Sequence, residues 1–221
     1  MRTLVPLGDQ AALAYFEDEA AALRFAAAMR HVKEAWLVDV VQAYTSVAVF
    51  FDLDRTHFIR VAEHLRKVDQ QAPELAAALE ARLHQIPCCY TFQQDLPRVA
   101  ACTGLTSEEI IGLHAGTEYT VYAIGFCPGF PYLGYLPPAL SGVPRLETPR
   151  LRVEAGSVGL TGRQTGIYTE DRPGGWNIIG RTPLELVNVA DAYFPLRTGD
   201  RIRFLAIDEA EYQRLQGRRL G

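Results

Sequence analysis

The apolar positions change rhythm several times along the chain. Leu4 to Leu7 and Ala11 to Tyr15 are short apolar runs on either side of Gly8-Asp9, a pattern that predicts two strands and a turn. From Glu17 the spacing lengthens. Ala22, Phe25, Met29 and Val32 recur at helical intervals, with Glu17, Asp18 and Glu19 in front and Arg30, His31 and Lys33 behind, so the charges match the dipole of a helix. Trp36 to Ala43 and Thr45 to Asp52 return to alternation, with Val47, Val49 and Phe51 on one face and Ala48 and Phe50 on the other. Phe58, Val61, Leu65 and Val68 then mark a second helix, for which Asp54 is the expected cap. Strand, helix, strand, strand, helix is the order of a ferredoxin-like α/β sandwich, and we place it over residues 1–83. Gln70 to Leu83, interrupted by Pro73, reads as the short helix or linker that ends it.

The second half is punctuated differently. His84 to Tyr90 reads as a strand whose Pro87 suits an edge or a strand start. Leu96 to Thr103 is a helix closed by Gly104, and Thr106-Ser107-Glu108-Glu109 is a capping box opening a helix through Ile110, Leu113 and His114 to about Gly116. Glu118 to Phe126 is a strand. Gly125 to Thr182 then holds more than half of the glycines and prolines, which excludes helix and demands short strands joined by tight turns. Leu184 to Val189 and Arg201 to Ile207, the latter after the turn Arg197-Thr198-Gly199-Asp200, read as two further strands, and Asp208 to Gly221 as a polar terminal helix. The overall class is α+β, with a closed β-barrel over residues 84–221.

Composition narrows the function classes. A formal net charge of −4 gives no electrostatic reason to expect nucleic acid or an anionic membrane as partner. No apolar run reaches the roughly 18–20 residues of a membrane span, and the N-terminus lacks the pattern of a secretory signal, so a cytoplasmic location is expected. Cys88, Cys89, Cys102 and Cys127 have no CxxC spacing and no HExxH pair occurs, so no metal site is expected. GxxxxGK[ST] is also missing, which excludes a P-loop.

The candidate chemistry lies in the loop-rich stretch. Phe126-Cys127-Pro128-Gly129-Phe130-Pro131-Tyr132 sets aromatic rings on a stiff turn, and Pro173-Gly174-Gly175-Trp176 suits a type II turn that delivers an indole. Arg145, Arg150, Arg163 and Arg181 are interspersed with Ser157, Gln164, Thr165 and Tyr168. Guanidinium groups, amides and aromatic rings on rigid loops make a pocket for a small polar or anionic ligand. Each has a plainer use: the rings as core, Arg145 and Arg150 as partners of surface acids, His114 as a packed helix end. Ser157 lacks the GxSxG context of a nucleophile.

The ordered blocks GF-x-PGFPYLG, PR-x-x-x-PR, V-x-AGSVG, G-x-QTGIY and PGGW-x-x-IGRT resemble the B subunit of the prokaryotic ATP-dependent 5-oxoprolinase, a family that includes the sporulation kinase inhibitor KipI. They are also similar to a carboxyltransferase subdomain of urea carboxylase, once described as allophanate hydrolase subunit 1. The resemblance implies a cyclophilin-like barrel. It also implies opening of 5-oxo-L-proline to L-glutamate at the expense of ATP, performed together with the A subunit and the homologous, barrel-type C subunit. ATP would be a co-substrate, with any Mg held by no identifiable protein motif. On this basis Arg150, Gln164 and His114, which stands where the family has a histidine, are the catalytic candidates. Phe126, Pro128, Gly129, Phe130, Tyr132, Arg145, Ser157, Arg163, Thr165, Tyr168, Trp176 and Arg181 are the candidates for binding substrate or nucleotide. A KipI-like role, docking on a histidine kinase to block its autophosphorylation, is the alternative. Thr91 to Pro97 departs from the family in lacking glycine.

Overall fold

The structure, a computed structural model, describes residues 1–76 and 81–220, in two compact units, Met1–Ala81 and Arg82–Gly221. The first contains β1 (Thr3–Leu7), β2 (Ala11–Tyr15), α1 (Glu19–Arg30), β3 (Leu37–Ala43), β4 (Ser46–Phe51) and α2 (Phe58–Ala76). Its strands form an antiparallel sheet in the order β1-β2-β4-β3. Alternation works as expected: Ala12 and Ala14 of β2, then Val47, Val49 and Phe51 of β4, turn inwards against Phe25 and Met29 of α1 and Val61 and Leu65 of α2. The alanines matter as much as the large residues. Ala22, Ala26 and Ala28 are completely buried, so α1 can lie close against the sheet.

Three expectations need correction in this unit. Asp54 does not cap α2; it lies in a turn in which the Asp52 carboxylate accepts from the Asp54 amide at 3.0 Å and from Arg55 Nε at 3.0 Å, and the helix begins only at Phe58. Pro73 does not break α2, which continues to Ala76; the rest of the expected linker, residues 77–80, lies outside the described residues. A ferredoxin-like sandwich places a strand that follows its second helix beside the first strand. Here β1, which comes first in the chain, occupies the place beside β2.

The second unit contains β5 (Leu83–Cys89), α3 (Leu96–Thr103), α4 (Ser107–Gly116), β6 (Glu118–Ile124), β7 (Pro131–Gly134), β8 (Arg150–Val153), β9 (Ser157–Thr161), β10 (Gln164–Ile167), β11 (Arg172–Gly174), β12 (Asn177–Arg181), β13 (Arg201–Ile207) and α5 (Glu209–Leu215). Seven strands run β6-β13-β5-β12-β9-β10-β7, and β7 pairs back onto β6, closing a barrel. β8 and β11 form a separate two-stranded ribbon. Ile86, Val121, Leu133, Val158, Leu160, Ile167, Ile179, Ile202 and Phe204 fill the barrel, with Leu96 and Val99 of α3 and Ile110 of α4 packed into the same core. Both helices start and stop as the sequence predicts. Gly104 ends α3 at φ 74, and Thr106 and Glu109 complete the capping box of α4.

Pro87 lies in the middle of β5, between β13 and β12, rather than at an edge. The barrel tolerates it because β5 pairs along its whole length with β13 but meets β12 only at Cys89 and Arg181, so most of that flank has no ladder to interrupt. Leu184 to Val189 is not a strand. Leu186 packs into the core, but the backbone makes only the isolated bridges Glu185 with Arg219 and Asn188 with Tyr193. No helix among the described residues is long and apolar enough to cross a membrane.

Candidate functional site

The sequence candidates separate into three places and a scattered remainder. The first is the barrel interior. His114, a catalytic candidate by resemblance, is fully buried there, against Phe204 at 4.5 Å between ring centres. Its Nδ1 is 2.7 Å from the Tyr90 hydroxyl and its Nε2 is 2.9 Å from Thr165 Oγ1. Counting hydrogens fixes the tautomer. Thr165 gives its one hydroxyl hydrogen to the Gly159 carbonyl at 2.9 Å, so it accepts from Nε2–H, and Nδ1 accepts from Tyr90. Burial lowers the imidazole pKa to about 3, so the ring stays neutral, and it pushes the Tyr90 hydroxyl well above its usual value. Both ring nitrogens are occupied, so His114 and Thr165 are core polar residues with nothing to offer a ligand directly.

The second place is an aromatic cluster outside the barrel. Phe130, Tyr168 and Trp176 are nearly completely buried, packed edge to face with centres 5.2 to 5.5 Å apart, and Val153, Ile178 and Cys127 complete the group. These rings are core. Gly166 makes the packing possible, because a Cβ there would sit 2.8 Å from the Pro131 carbonyl and 3.0 Å from Phe130 and Trp176. Tyr132 is half-buried with its ring 5.8 Å from Trp176, while Phe126, 59% exposed, and Pro128 stand at the tip of the turn. Gly129 supplies the turn at φ 69.

The third place adjoins that cluster. The loop from Pro144 to Pro149 leads into β8, its middle held by Leu146 N donating to the Gly175 carbonyl at 2.8 Å. Arg150 Nη2 donates to Asp95 Oδ1 at 2.6 Å, while Asp95 Oδ2 accepts from the Ile178 amide at 2.6 Å. Asp95 is 6% exposed and stands at the start of α3, so this one carboxylate joins helix, strand and arginine. Asn177, fully buried, donates from Nδ2 to the carbonyls of Pro144 at 3.0 Å and Leu160 at 3.1 Å. Arg98 Nη2 donates to the Pro144 and Arg145 carbonyls, both at 3.4 Å. Two buried atoms of this group have no partner among the described residues: Arg150 Nη1 and Asn177 Oδ1. Arg145 is exposed, and its charge reaches two tyrosines: burial raises the Tyr132 and Tyr168 hydroxyl pKa values, and Arg145 opposes the rise at both.

The remaining candidates are scattered. Arg163 is exposed and stacks over the Tyr135 ring at 4.3 Å, and Gln164 beside it is half-buried at the start of β10. Ser157 is buried in β9. Arg181 donates from Nε to the Ala155 carbonyl at 3.0 Å and pairs through Nη1 with Glu154. With Tyr168, Thr182, Tyr212 and Gln216 it lines a cleft of about 260 Å³. The structure therefore brings Tyr132, Arg145, Arg150 and Trp176 together and leaves Arg163, Gln164, Ser157 and Arg181 elsewhere. Sequence reasoning missed Asp95, Asn177 and Tyr90. Asp95 has one usable signal, its position just before a helix, where an acid is ordinarily read only as a cap.

Comparison with known proteins agrees with this architecture. Residues 2–195 match the family model described as carboxyltransferase domain, subdomain C and D. The chain is 38% identical over 192 residues to the B subunit of 5-oxoprolinase from Bacillus subtilis, covering 79% of this chain and 78% of the relative. It is 39% identical over 181 residues to the B subunit of 5-oxoprolinase from Escherichia coli O157:H7, covering 80% and 82%. Among solved structures it is similar to TTHA0988, with 36% identity and a TM-score of 0.79 over 90% of this chain. It spans only 40% of the TTHA0988 chain.

Proposed function

The chain belongs to the carboxyltransferase domain family, subdomain C and D, and from that premise we propose that it works as the B subunit of a 5-oxoprolinase. The observation that carries this reading is the 38% identity to such a B subunit over most of both chains. In this reading the partners are the A subunit and the homologous, barrel-type C subunit, ATP is a co-substrate of the complex, and the chain alone turns nothing over.

The third cluster is the part of the molecule best suited to the substrate. A lactam carbonyl is a poor electrophile because the ring nitrogen shares its lone pair with it. Phosphorylation of the carbonyl oxygen by ATP, with ADP leaving, removes that protection; water then adds to the ring carbon, the C–N bond breaks as the nitrogen takes a proton, and a second water hydrolyses the resulting acyl phosphate to the carboxylate and inorganic phosphate. Each step gathers negative charge beside the ring. In this reading Arg145 and Arg150 hold a small carboxylic acid and offset such charge, with the Tyr132 ring as a wall for a flat heterocycle; Arg145 acts on the Tyr132 hydroxyl and both arginines act on that of Tyr168. No residue of this chain is assigned to the nucleotide.

The test is ATP hydrolysis as a function of 5-oxo-L-proline, with this chain alone, with candidate A and C subunits, and with each omitted in turn. ADP and L-glutamate appearing in step only in the full mixture supports the reading. ATP hydrolysis indifferent to 5-oxo-L-proline in the full mixture refutes it. One feature favours a second reading, docking on a histidine kinase: Phe126 is 59% exposed on a turn whose Pro128 is also exposed, a projecting apolar tip.

A further inference from the structure

Buried polar atoms without partners are rare in folded proteins, because an amide oxygen taken out of water and left unpaired loses its hydration with nothing in return. The group around Asp95 contains one such acceptor, Asn177 Oδ1, and one such donor, Arg150 Nη1. They belong to a single bonded assembly. Asp95 takes Arg150 Nη2 with one oxygen and the Ile178 amide, the next along from Asn177, with the other. Asn177 Nδ2 in turn donates to Pro144, which opens the loop that ends at Arg150. Each side chain is therefore held by one half and has the other half unused.

A donor and an acceptor presented by one rigid assembly complement a group that offers an acceptor and a donor side by side, and the edge of a cyclic amide does so through C=O and N–H. We propose that Arg150 and Asn177 form the seat for the amide edge of a lactam, Nη1 donating to the carbonyl oxygen and Oδ1 accepting from the ring N–H. Asp95 is the positioning residue. By occupying Nη2 it fixes the plane of the guanidinium and reserves Nη1 for the ligand. Both free atoms are buried, so in this proposal a neighbouring segment yields to admit the ligand, and the loop from Pro144 to Pro149, where Leu146 is held by a backbone bond to Gly175, is the one that does so. This inference rests on the 5-oxoprolinase reading for the identity of the lactam. It adds a prediction that reading does not make, namely that Asn177 recognises the N–H.

The experiment compares 5-oxo-L-proline with its ring-oxygen counterpart, 5-oxotetrahydrofuran-2-carboxylate, which keeps the carbonyl and the carboxylate but has no ring N–H. In the assembled complex the lactam should bind at least about tenfold more tightly than the lactone, and Asn177→Ala should bring the two together by weakening the lactam alone. Arg150→Lys should weaken both alike. Because Asn177 also supports the loop, the wild-type chain provides a second measurement: its Asn177 carboxamide NMR signals should move on adding the lactam and stay in place on adding the lactone. An unchanged lactam-to-lactone ratio in a folded Asn177→Ala variant overturns the seat, even if the complex hydrolyses ATP as proposed above. Should the complex prove indifferent to 5-oxo-L-proline, titration of the chain with 2-pyrrolidinone decides the matter separately. Movement of the Asn177 carboxamide signals supports a lactam seat, and none shows that the two atoms are satisfied by water only.

Discussion

The barrel unit holds two polar clusters made of similar parts and finished differently. Inside, Tyr90, His114 and Thr165 close a chain of hydrogen bonds that ends on the Gly159 carbonyl, and the imidazole has both nitrogens engaged. At the rim, Asp95, Arg150 and Asn177 are equally well connected to backbone and to each other, yet two buried atoms have no partner among the described residues. A completed buried network specifies how elements pack, here tying α4 to β10 and to the residue after β5. An incomplete one keeps bonding capacity in reserve. The difference separates residues that hold the fold from residues that can act on something else, although both kinds are buried and polar.

Four measurements would break or sharpen that division. The largest effect should come from His114→Ala, which deletes a packed ring and strands two hydroxyls. We expect a loss of about 4 kcal/mol in urea unfolding, and a stable variant that loses ligand binding would instead move His114 across the divide. Next is Asp95→Ala. It leaves Arg150 without its carboxylate and unties α3 from β12, for an expected cost of about 3 kcal/mol, while Asp95→Asn should cost less and still blur the orientation of Arg150.

Third is the pH dependence of stability. Burial holds His114 near 3 in the folded chain against 6.5 ordinarily, so below 6.5 the unfolded chain takes up a proton that the folded one refuses. The contribution is therefore constant above pH 6.5 and is lost as the pH falls towards 3, at about 1.4 kcal/mol per pH unit for this one group. Differences between wild type and His114→Gln at several pH values isolate it, and parallel curves for the two proteins would contradict a neutral buried ring. The smallest stability effect should come from Arg145→Ala. An exposed side chain should change unfolding by no more than about 0.5 kcal/mol, whereas substrate KM in the assembled complex should rise about tenfold. Equal effects on stability and KM would merge the two clusters into one.

Much of the architecture was legible in the sequence, because alternation, helical spacing and caps are local signals. The strands from β1 to β4, the capping box of α4 and the Gly104 stop are cases in which a few adjacent residues contain the whole instruction. Failures came where the deciding partner lies far along the chain. His114 meets Thr165 across 51 positions and Arg150 meets Asp95 across 55, and no spacing rule reports either meeting. Leu184 to Val189 was misread for a related reason. Apolar side chains state that a segment is buried, but whether its backbone joins a ladder depends on a neighbour, and here Arg219 and Tyr193 offer only single bridges. The aromatic rings could be read in the sequence either as the wall of a pocket or as core. Sequence could not say that Phe130, Tyr168 and Trp176 would spend their faces on one another and leave Tyr132 and Phe126 as the accessible pair.

The parallel pairing of β5 with β13 has a consequence for how the protein is made. Leu83 lies opposite Arg201 and Cys89 opposite Ile207, so the strand that opens the second unit finds its full-length neighbour only once residues 201–207 have been made. In the first unit β1, β2, β4 and β3 pair in succession within Thr3–Phe51, so that sheet can settle as soon as α2 has left the ribosome. The second must keep six strands waiting, Pro87 among them, until residues 201–207 arrive to seal the cylinder. A nascent chain stalled before residue 201 should therefore carry one finished unit and one protease-sensitive one.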